Sequence, residues 1–484
     1  MGPAKPVSSP ADSASFNLGV GDTMSQRTRF SSMTRAPAIL LALVLVASSV
    51  SAAEWKEKVL YSFQGGADGS LPAGGVVFDS AGNLYGATAD GGLSCPPPGC
   101  GTVFQLAPPA KKGDPWTETI LHVFDSKDGT QPTGGLVIDS KGNLYGVTGY
   151  GGSGGCQLLG SRVGCGLVYE LSPPGKKGGA WTETVVYSFQ GGEDGQYPTG
   201  DLVFDIAGNL YGATIYGGGY GTCNAPYYLY CGTVFKLSPP VTGGKWKEKV
   251  LYAFKSGTDG ASTNGGLVLD SAGNLYGTTF YGGNEAGECK YGVGGTGCGT
   301  VFELDRPKKK GATWSEKIIH RFQGGQDGDY PAAGLIIGEN RDLYGTTLTG
   351  GGNGGGGTVF CLTPPTTKGR SWKKAILHGF DGVGGGLDAE SSLILDSNGD
   401  LYGTTLDSGG IYYGTVFRLK RPKQEGATWI FNLLYGFQAP PDGGQPAAGL
   451  VFDKSNNLYG TTTQGGSGTG CSFHGCGTVF EISP

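Results

Sequence analysis

The seven tryptophans of this 484-residue chain form one series: Trp55, Trp116, Trp181, Trp246, Trp314, Trp372 and Trp429, spaced 57–68 residues apart. A chain that repeats at so long a period must stack like units, which constrains the fold more than its length does. Each Trp opens a stretch such as Trp181-Thr-Glu-Thr-Val-Val-Tyr-Ser-Phe189, rich in β-branched and aromatic residues and free of Gly and Pro, which reads as a strand. A glycine-rich Asp-Gly loop follows. Then come a short run such as Gly135-Leu-Val-Ile-Asp139, a turn, a run such as Leu144-Tyr-Gly-Val-Thr148, a variable loop, and a run such as Gly299-Thr-Val-Phe-Glu-Leu304.

Four short antiparallel strands repeated seven times predict an all-β, seven-bladed β-propeller. The Leu-Val-Ile type of run is apolar at consecutive positions, as a strand covered on both faces requires, and is assigned as innermost. The Leu-Tyr-Gly and Gly-Thr-Val-Phe runs follow outwards, and the Trp strand lies outermost. The repeats begin with an outermost strand, Trp55 to Phe63, and end after a third strand, Gly477 to Ser483. The N-terminal strand is therefore expected to complete the C-terminal blade and close the ring. A solenoid or β-helix, with a period of about 20 to 30 residues, fits poorly. The 95 glycines mark turns and close backbone contacts, because no three-residue collagen period exists.

Residues 1–52 read as an N-terminal extension and secretory signal, and residues 53–484 as a single repeat domain. Arg27, Arg29 and Arg35 precede the apolar run Ile39 to Ala47 and an A-x-A-like site at Val50-Ser51-Ala52; Met24 or Met33 is the candidate true start. The apolar run is shorter than the roughly 20 residues of a membrane span, so no span is expected after cleavage. Charged residues make up 15% and net charge is -5, which argues against a nucleic-acid partner.

The pattern Tyr-Ser-Phe-Gln-Gly-Gly-x-Asp-Gly, then Pro-x-x-Gly-Leu-x-x-Asp-Ser-x-Gly-Asn-Leu-Tyr-Gly-Thr-Thr, then Gly-Thr-Val-Phe-x-Leu, covers nearly all of 54–484 and resembles the Gloeo-Verruco (GloVer) tandem repeat of secreted bacterial proteins. The resemblance implies an exported or surface-anchored repeat protein without an assigned activity. Family members often end in an anchoring segment, whereas this sequence stops at Glu481-Ile-Ser-Pro484, from which release is expected.

The eleven cysteines agree with export. Cys95/Cys100, Cys156/Cys165, Cys223/Cys231, Cys289/Cys298 and Cys471/Cys476 form close pairs in the loop between second and third strands, each ending directly before the glycine that opens the third strand. That recurrence predicts five local disulfides in an oxidising compartment, secreted or periplasmic. Zinc spacing is absent, and no metal or other cofactor is expected. Cys361 is left over and reads as a free thiol in a third strand.

In a propeller, the outer-to-inner loops and the second-to-third loops share one face, here called the upper face. It carries the Asp-Gly loops (Asp68, Asp128, Asp194, Asp259, Asp327, Asp442), the disulfide loops and most loop tyrosines: Tyr216, Tyr220, Tyr227, Tyr228, Tyr230, Tyr281, Tyr291, Tyr412 and Tyr413. Exposed aromatics on loops point to ligand contact, although they also cover glycine-rich backbone. Each Asp-Gly loop offers one regular carboxylate where calcium takes 6 to 8 oxygens, so Asx turns explain them better. His122, His320 and His378 stand where other repeats have Tyr and read as packing substitutes. Gly151-Gly-Ser-Gly-Gly155 matches G-x-S-x-G but lies in a glycine-rich loop, not on a strand-to-helix elbow.

Asp201, Asn264 and Glu390 interrupt an inner rim that is otherwise Ala, Gly, Thr or Ser. These expectations define a monomeric, secreted, non-enzymatic binding module for a glycan or protein, with Tyr216, Tyr227, Tyr228, Tyr230, Tyr281 and the three rim residues as candidate ligand contacts. No catalytic residue is assigned. The alternative is a hydrolase or lyase using a divalent cation at the channel mouth.

Overall fold

The structure, a computed structural model, describes residues 55–484 apart from 159–160, 177, 220–230, 242, 284–288, 292–294, 310, 353, 368, 383–384, 409–412, 425, 439 and 472–473. These residues form seven antiparallel sheets in a ring, with the strands of blades 1 to 6 in sequence order from the axis outwards. Blade 1 runs Val77–Phe78, Leu84–Thr88, Thr102–Ala107 and Thr117–Val123. Blades 2 to 6 occupy 130–188, 196–253, 268–321, 336–379 and 394–436. Blade 7 takes Val451–Phe452, Leu458–Thr462 and Thr478–Ser483 from the end of the chain and Lys56–Ser62 from its beginning. The N-terminal strand pairs with Thr478–Ser483, so the ring closes as the phase of the repeats predicts.

The core is not a single mass but a set of seams between neighbouring blades. The seam of blades 1 and 2, for example, joins Tyr85, Val103 and Phe124 to Leu136, Leu144, Leu167 and Tyr169. Two repeated aromatic contacts explain the periodic residues. In blades 2 to 6 the outer-strand Trp stands edge-on to the Leu-Tyr-Gly tyrosine of the preceding blade, as in Trp181–Tyr85 (5.9 Å) and Trp246–Tyr145 (6.1 Å); Trp116 lies tilted against Tyr459 (6.4 Å), and Trp55 packs in the seam that holds Tyr402. The Phe that ends each outer strand meets a third-strand ring of the next blade edge to face at 5.0–5.3 Å, from Phe63–Phe104 round to Phe437–Phe480. Such pairs add about 0.5–1.5 kcal/mol each beyond area burial.

On the lower face, the Asp-Ser-x-Gly-Asn turn is a carboxylate wrapped by its own loop. Asp79 accepts from the N–H groups of Ala81 and Asn83 and from Asn83 Nδ2 (2.7–2.9 Å) and from Tyr85 OH (3.1 Å). These contacts hold Asp79 below its ordinary value although desolvation opposes them. In blade 5 the turn is Glu339–Arg341, with Asn340 and Arg341 left-handed; Arg341 instead reaches Tyr276 OH (2.8 Å) and Asp270 (3.2 Å) in blade 4.

Candidate functional site

The seven inner strands converge so tightly that side chains are excluded over part of their length. A Cβ on Gly74 or Gly134 would collide with the backbone carbonyl of the next inner strand, Gly134 and Gly200 respectively. Around the axis this leaves a cavity of about 920 Å³, lined mostly by Gly, Ala and short aliphatic residues and reaching Tyr197, Phe280, Asp90, Asp201, Asn264 and Glu390.

At its upper end, each inner strand enters through one residue with φ near +60°: Leu71, Gln131, Tyr197, Ser262, Tyr330, Asp388 and Gln445. None is glycine, so each left-handed conformation costs about 1–2 kcal/mol. The compensation is a hydrogen bond across the blade boundary. The N–H of Leu71 donates to Cys476 O (3.0 Å), that of Gln131 to Cys100 O (3.0 Å) and that of Tyr197 to Cys165 O (2.9 Å), and the other four repeat the pattern. The second cysteine of each disulfide loop thus anchors the entry of the following blade. Sequence reasoning missed this ring; the Pro that follows five of the seven residues was its only sequence signal.

A second ring of equivalent positions, each paired with the strand or loop that leads to those entries, is Asp90, Tyr150, Tyr216, Tyr281, Thr349, Asp407 and Gln464. Together the two rings divide the mouth by chemistry. Blades 2 to 5 give an aromatic arc: Tyr150–Tyr197 (4.9 Å), Tyr197–Tyr216 (5.8 Å), Phe280–Tyr330 (5.1 Å, stacked) and Tyr281–Tyr330 (6.0 Å). Blades 5, 6 and 1 give an acidic arc of Asp329, Asp388, Asp407, Glu390 and Asp90. Desolvation raises Asp90 and Asp329; desolvation and then Asp407 raise Asp388; desolvation and then Asp388 raise Glu390.

The three rim residues do not share a level. Asn264 and Glu390 stand two residues after their left-handed entries, whereas Asp201 stands four after Tyr197, where other blades carry Gly75, Gly135, Gly266, Gly334, Ser392 and Gly449. Two residues of strand are roughly 6–7 Å along the bore. Asp201 is open to the bore yet walled by protein, and its carboxylate accepts the Gly135 N–H at 2.7 Å. Desolvation raises it and that hydrogen bond works the other way. Among the described residues no three His, Cys, Asp or Glu side chains converge as a metal site.

Tyr216 and Tyr281 lie in the aromatic arc, while Tyr227, Tyr228 and Tyr230 lie outside the described residues. Among the described residues four disulfides have both cysteines in place: Cys95–Cys100, Cys156–Cys165, Cys289–Cys298 and Cys471–Cys476, with Cα separations of 5.0–5.6 Å. Cys231 is also disulfide-bonded, and Cys223 falls outside the described residues. Cys361 is a buried free thiol, pushed up to about 11 by burial and then by Asp342. The Asp of each Asp-Gly loop receives the outer-strand Tyr or His: Tyr61 OH donates to Asp68 (3.0 Å), and His122 and His320 lie 3.1 Å from Asp128 and Asp327. His378 instead stacks on Phe431 at 4.3 Å.

The family model of the Gloeobacter/Verrucomicrobia repeat matches residues 46–225 and 220–473. The chain belongs to that family. No curated protein matches this Gloeobacter/Verrucomicrobia repeat chain. Among solved structures it is similar to a Trichoderma reesei carbohydrate-active enzyme of family AA12 (12% identity, 90% of this chain and 97% of that one, TM-score 0.43). It is also similar to a fungal alcohol oxidase of the AA5 family in complex with copper (13%, 89% and 76%, TM-score 0.47) and to the PQQ domain of a Coprinopsis cinerea pyranose dehydrogenase (10%, 90% and 96%, TM-score 0.41). Likeness at that level says nothing about the chemistry of a Gloeobacter/Verrucomicrobia repeat ring, which rests on its own residues.

Proposed function

We propose that this protein is a secreted or periplasmic, non-enzymatic binding module that takes a glycan at the upper mouth of its channel. One observation carries the reading: around the mouth of a sevenfold ring, aromatic side chains gather in blades 2 to 5 and carboxylates in blades 5, 6 and 1. Aromatic walls with a few convergent polar groups are what ligand sites are made of. The half-exposed rings of Tyr150, Tyr197, Tyr216 and Tyr281, backed by the buried Phe280 and Tyr330, offer a platform for the apolar face of a sugar, and Gln131, Asn264 and the carboxylates offer hydrogen-bonding edges. The charged residues lining the cavity are all acidic, Asp90, Asp201 and Glu390, so neutral or amino-bearing sugars are favoured over uronic acids. Four disulfides and a secretory-type N-terminus support an oxidising compartment. The cation-dependent hydrolase alternative draws no support from rim residues that stand on two levels.

The test is a glycan array followed by calorimetry on the hits, with Tyr197→Ala and Tyr216→Ala variants. The expected result is capture of neutral or amino sugars, weakened at least tenfold in the variants, as aromatic anchors commonly carry about 2 kcal/mol or more. Preference for acidic glycans, or unaltered binding by both variants, would remove the mouth from consideration.

A further inference from the structure

The third residue of each outer strand, counting Trp as the first, is Glu in five blades: Glu57, Glu118, Glu183, Glu248 and Glu316. In all five, Oε1 is sealed from solvent and accepts no hydrogen bond. What faces it is another acid. Glu57 faces Asp442 and Tyr435; Glu118 faces Asp68 and Tyr61; Glu248 faces Asp194 and Tyr187. Glu183 faces Asp128, Asp125 and Tyr169, with His122 in opposition. Glu316 faces Asp259 and Tyr252, with Arg321 and Lys255 in opposition. In each case the first Asp named is that of the Asp-Gly loop arriving from the preceding blade. On the Asp68 side, too, Oδ1 is buried and without a hydrogen-bond partner.

The remaining two blades show what this place demands. In blade 5 the residue is Lys374, whose Nζ bonds to Asp327 Oδ1 (2.8 Å) and to Asp327 O and lies over the Phe322 ring. In blade 6 it is Phe431, stacked on His378. A positive charge or an uncharged group is thus accommodated next to the loop, whereas five blades place a second carboxyl there.

We infer that this propeller carries a proton-operated clamp: at five of its seven blade junctions the outer-strand Glu takes a solvent proton and sits neutral against the loop Asp of the preceding blade, so that mild acid tightens the ring and alkali loosens it. Burial first, and the facing Asp second for Glu57, Glu118, Glu248 and Glu316, raise these carboxyls, to about 8 for Glu57 and about 7 for the others; at Glu183, His122 is the second influence and lowers the value before Asp128 raises it. Groups raised in the folded state bind more protons there than in the unfolded chain. Their contribution is complete below about pH 4.5 and disappears as pH rises through 7 to 8, the reverse of an ordinary surface carboxylate.

The experiment follows thermal unfolding of the full chain from pH 5 to pH 9 at fixed salt with EDTA, beside the five-fold Glu→Gln variant (Glu57, Glu118, Glu183, Glu248, Glu316). The native protein should lose several degrees of Tm between pH 6 and pH 9, and the variant should lose little. A native profile flat over that range, or a variant profile parallel to it, overturns the clamp. So does a native protein whose alkaline loss is restored by calcium chloride but not by acid, since a cation and not a proton would then occupy the gap. If the five-fold variant fails to fold, Glu118→Gln and Glu248→Gln should each remove a fraction of the slope, and Lys374→Glu should steepen it. Carbon-13 titration of labelled glutamates gives an independent readout: midpoints above pH 6 for the five carboxyls support the clamp, and midpoints near 4.5 overturn it.

Discussion

Phe63 is the side chain through which the closing strand grips the ring, and replacing it by Ala should open the molecule at one place. The ring of Phe63 is fully buried, edge-on to Tyr61 and Phe104 at 5.1 Å each, in a seam with Leu60, Val76, Leu84, Tyr459 and Val479. Phe254 has the same surroundings one seam after another around the ring: full burial, with Tyr252 and Phe302 edge-on at 5.1 Å. Either Phe→Ala change should therefore cost about 3–5 kcal/mol by the usual transfer and cavity terms. The consequences differ because the strand before Phe254 is joined by chain to its neighbour Thr233–Ser238, whereas Lys56–Ser62 is held to Thr478–Ser483 by its hydrogen-bond ladder and side chains. In Phe63→Ala, native-state hydrogen exchange should show the amides of 56–62 and 478–483 opening together well below the global unfolding free energy. In Phe254→Ala the same amides should keep parental protection relative to the rest. Similar exchange patterns in the two variants, or protected 56–62 in Phe63→Ala, would refute a ring closed by this strand's grip.

Two further perturbations read other contacts. The double change Cys289→Ser with Cys298→Ser opens a loop whose closure contributes about 2–3 kcal/mol in the chain-entropy model, and should lower the denaturation midpoint accordingly; an unchanged midpoint would show that the Tyr330 N–H to Cys298 O anchor suffices without the bridge. Asp327 is held at about 2: desolvation raises it, but the hydrogen bonds from His320 and Lys374 prevail. Asp327→Asn should cost about 1–3 kcal/mol at neutral pH, as expected for charged hydrogen bonds at a partly exposed site. The difference from the parent should persist above about pH 4 and vanish as pH falls towards 2; a pH-independent difference would assign the loss to packing.

Blade number, strand order and ring closure were legible because each is written seven times. The Trp, the Leu-Tyr-Gly tyrosine and the strand-ending Phe recur since every seam needs the same three rings, and repetition turns a weak local signal into a strong one. The mouth was legible only in part. Tyr216 and Tyr281 were found as loop aromatics, but Tyr150, Tyr197, Phe280 and Tyr330 were not, because they sit at strand ends where aromatic residues are ordinary. The left-handed entries could not be read from residue type, since Leu, Gln, Tyr, Ser and Asp all fill them; their conformation is imposed by the hydrogen bond to the preceding blade and not by local preference. Asp201 was grouped with Asn264 and Glu390 because a sequence gives the blade of a rim residue more readily than its depth, and two residues of offset are enough to separate them along the bore.

Blades 5 and 6 depart from the repeat in several ways at once, and the departures fit together. Their second-to-third loops carry no cysteine pair, so Gly356 and Tyr413, not half-cystines, accept the N–H groups of Asp388 and Gln445. Their outer strands carry Lys374 and Phe431 in place of Glu, and blade 5 replaces the lower-face Asp turn by Glu339–Arg341. Each missing contact has a substitute that crosses a boundary: Lys374 to Asp327, Phe431 against His378, Arg341 to Asp270 and Tyr276, and Arg421 to Glu339 at 3.0 Å. Long-range ion pairs and ring stacking thus do in this sector what short covalent loops and protonated carboxyls do in the others. The exposed pair Arg421–Glu339 is worth little and weakens with salt, while the more buried Lys374–Asp327 pair is screened less. Salt and reductant should therefore act on different parts of the same ring: high salt loosens blades 5 and 6 first, and a reducing agent loosens blades 1, 2, 3, 4 and 7. Hydrogen exchange in 1 M sodium chloride, compared with exchange after reduction, separates the two, and one shared pattern under both conditions would show that the sectors are not independently held.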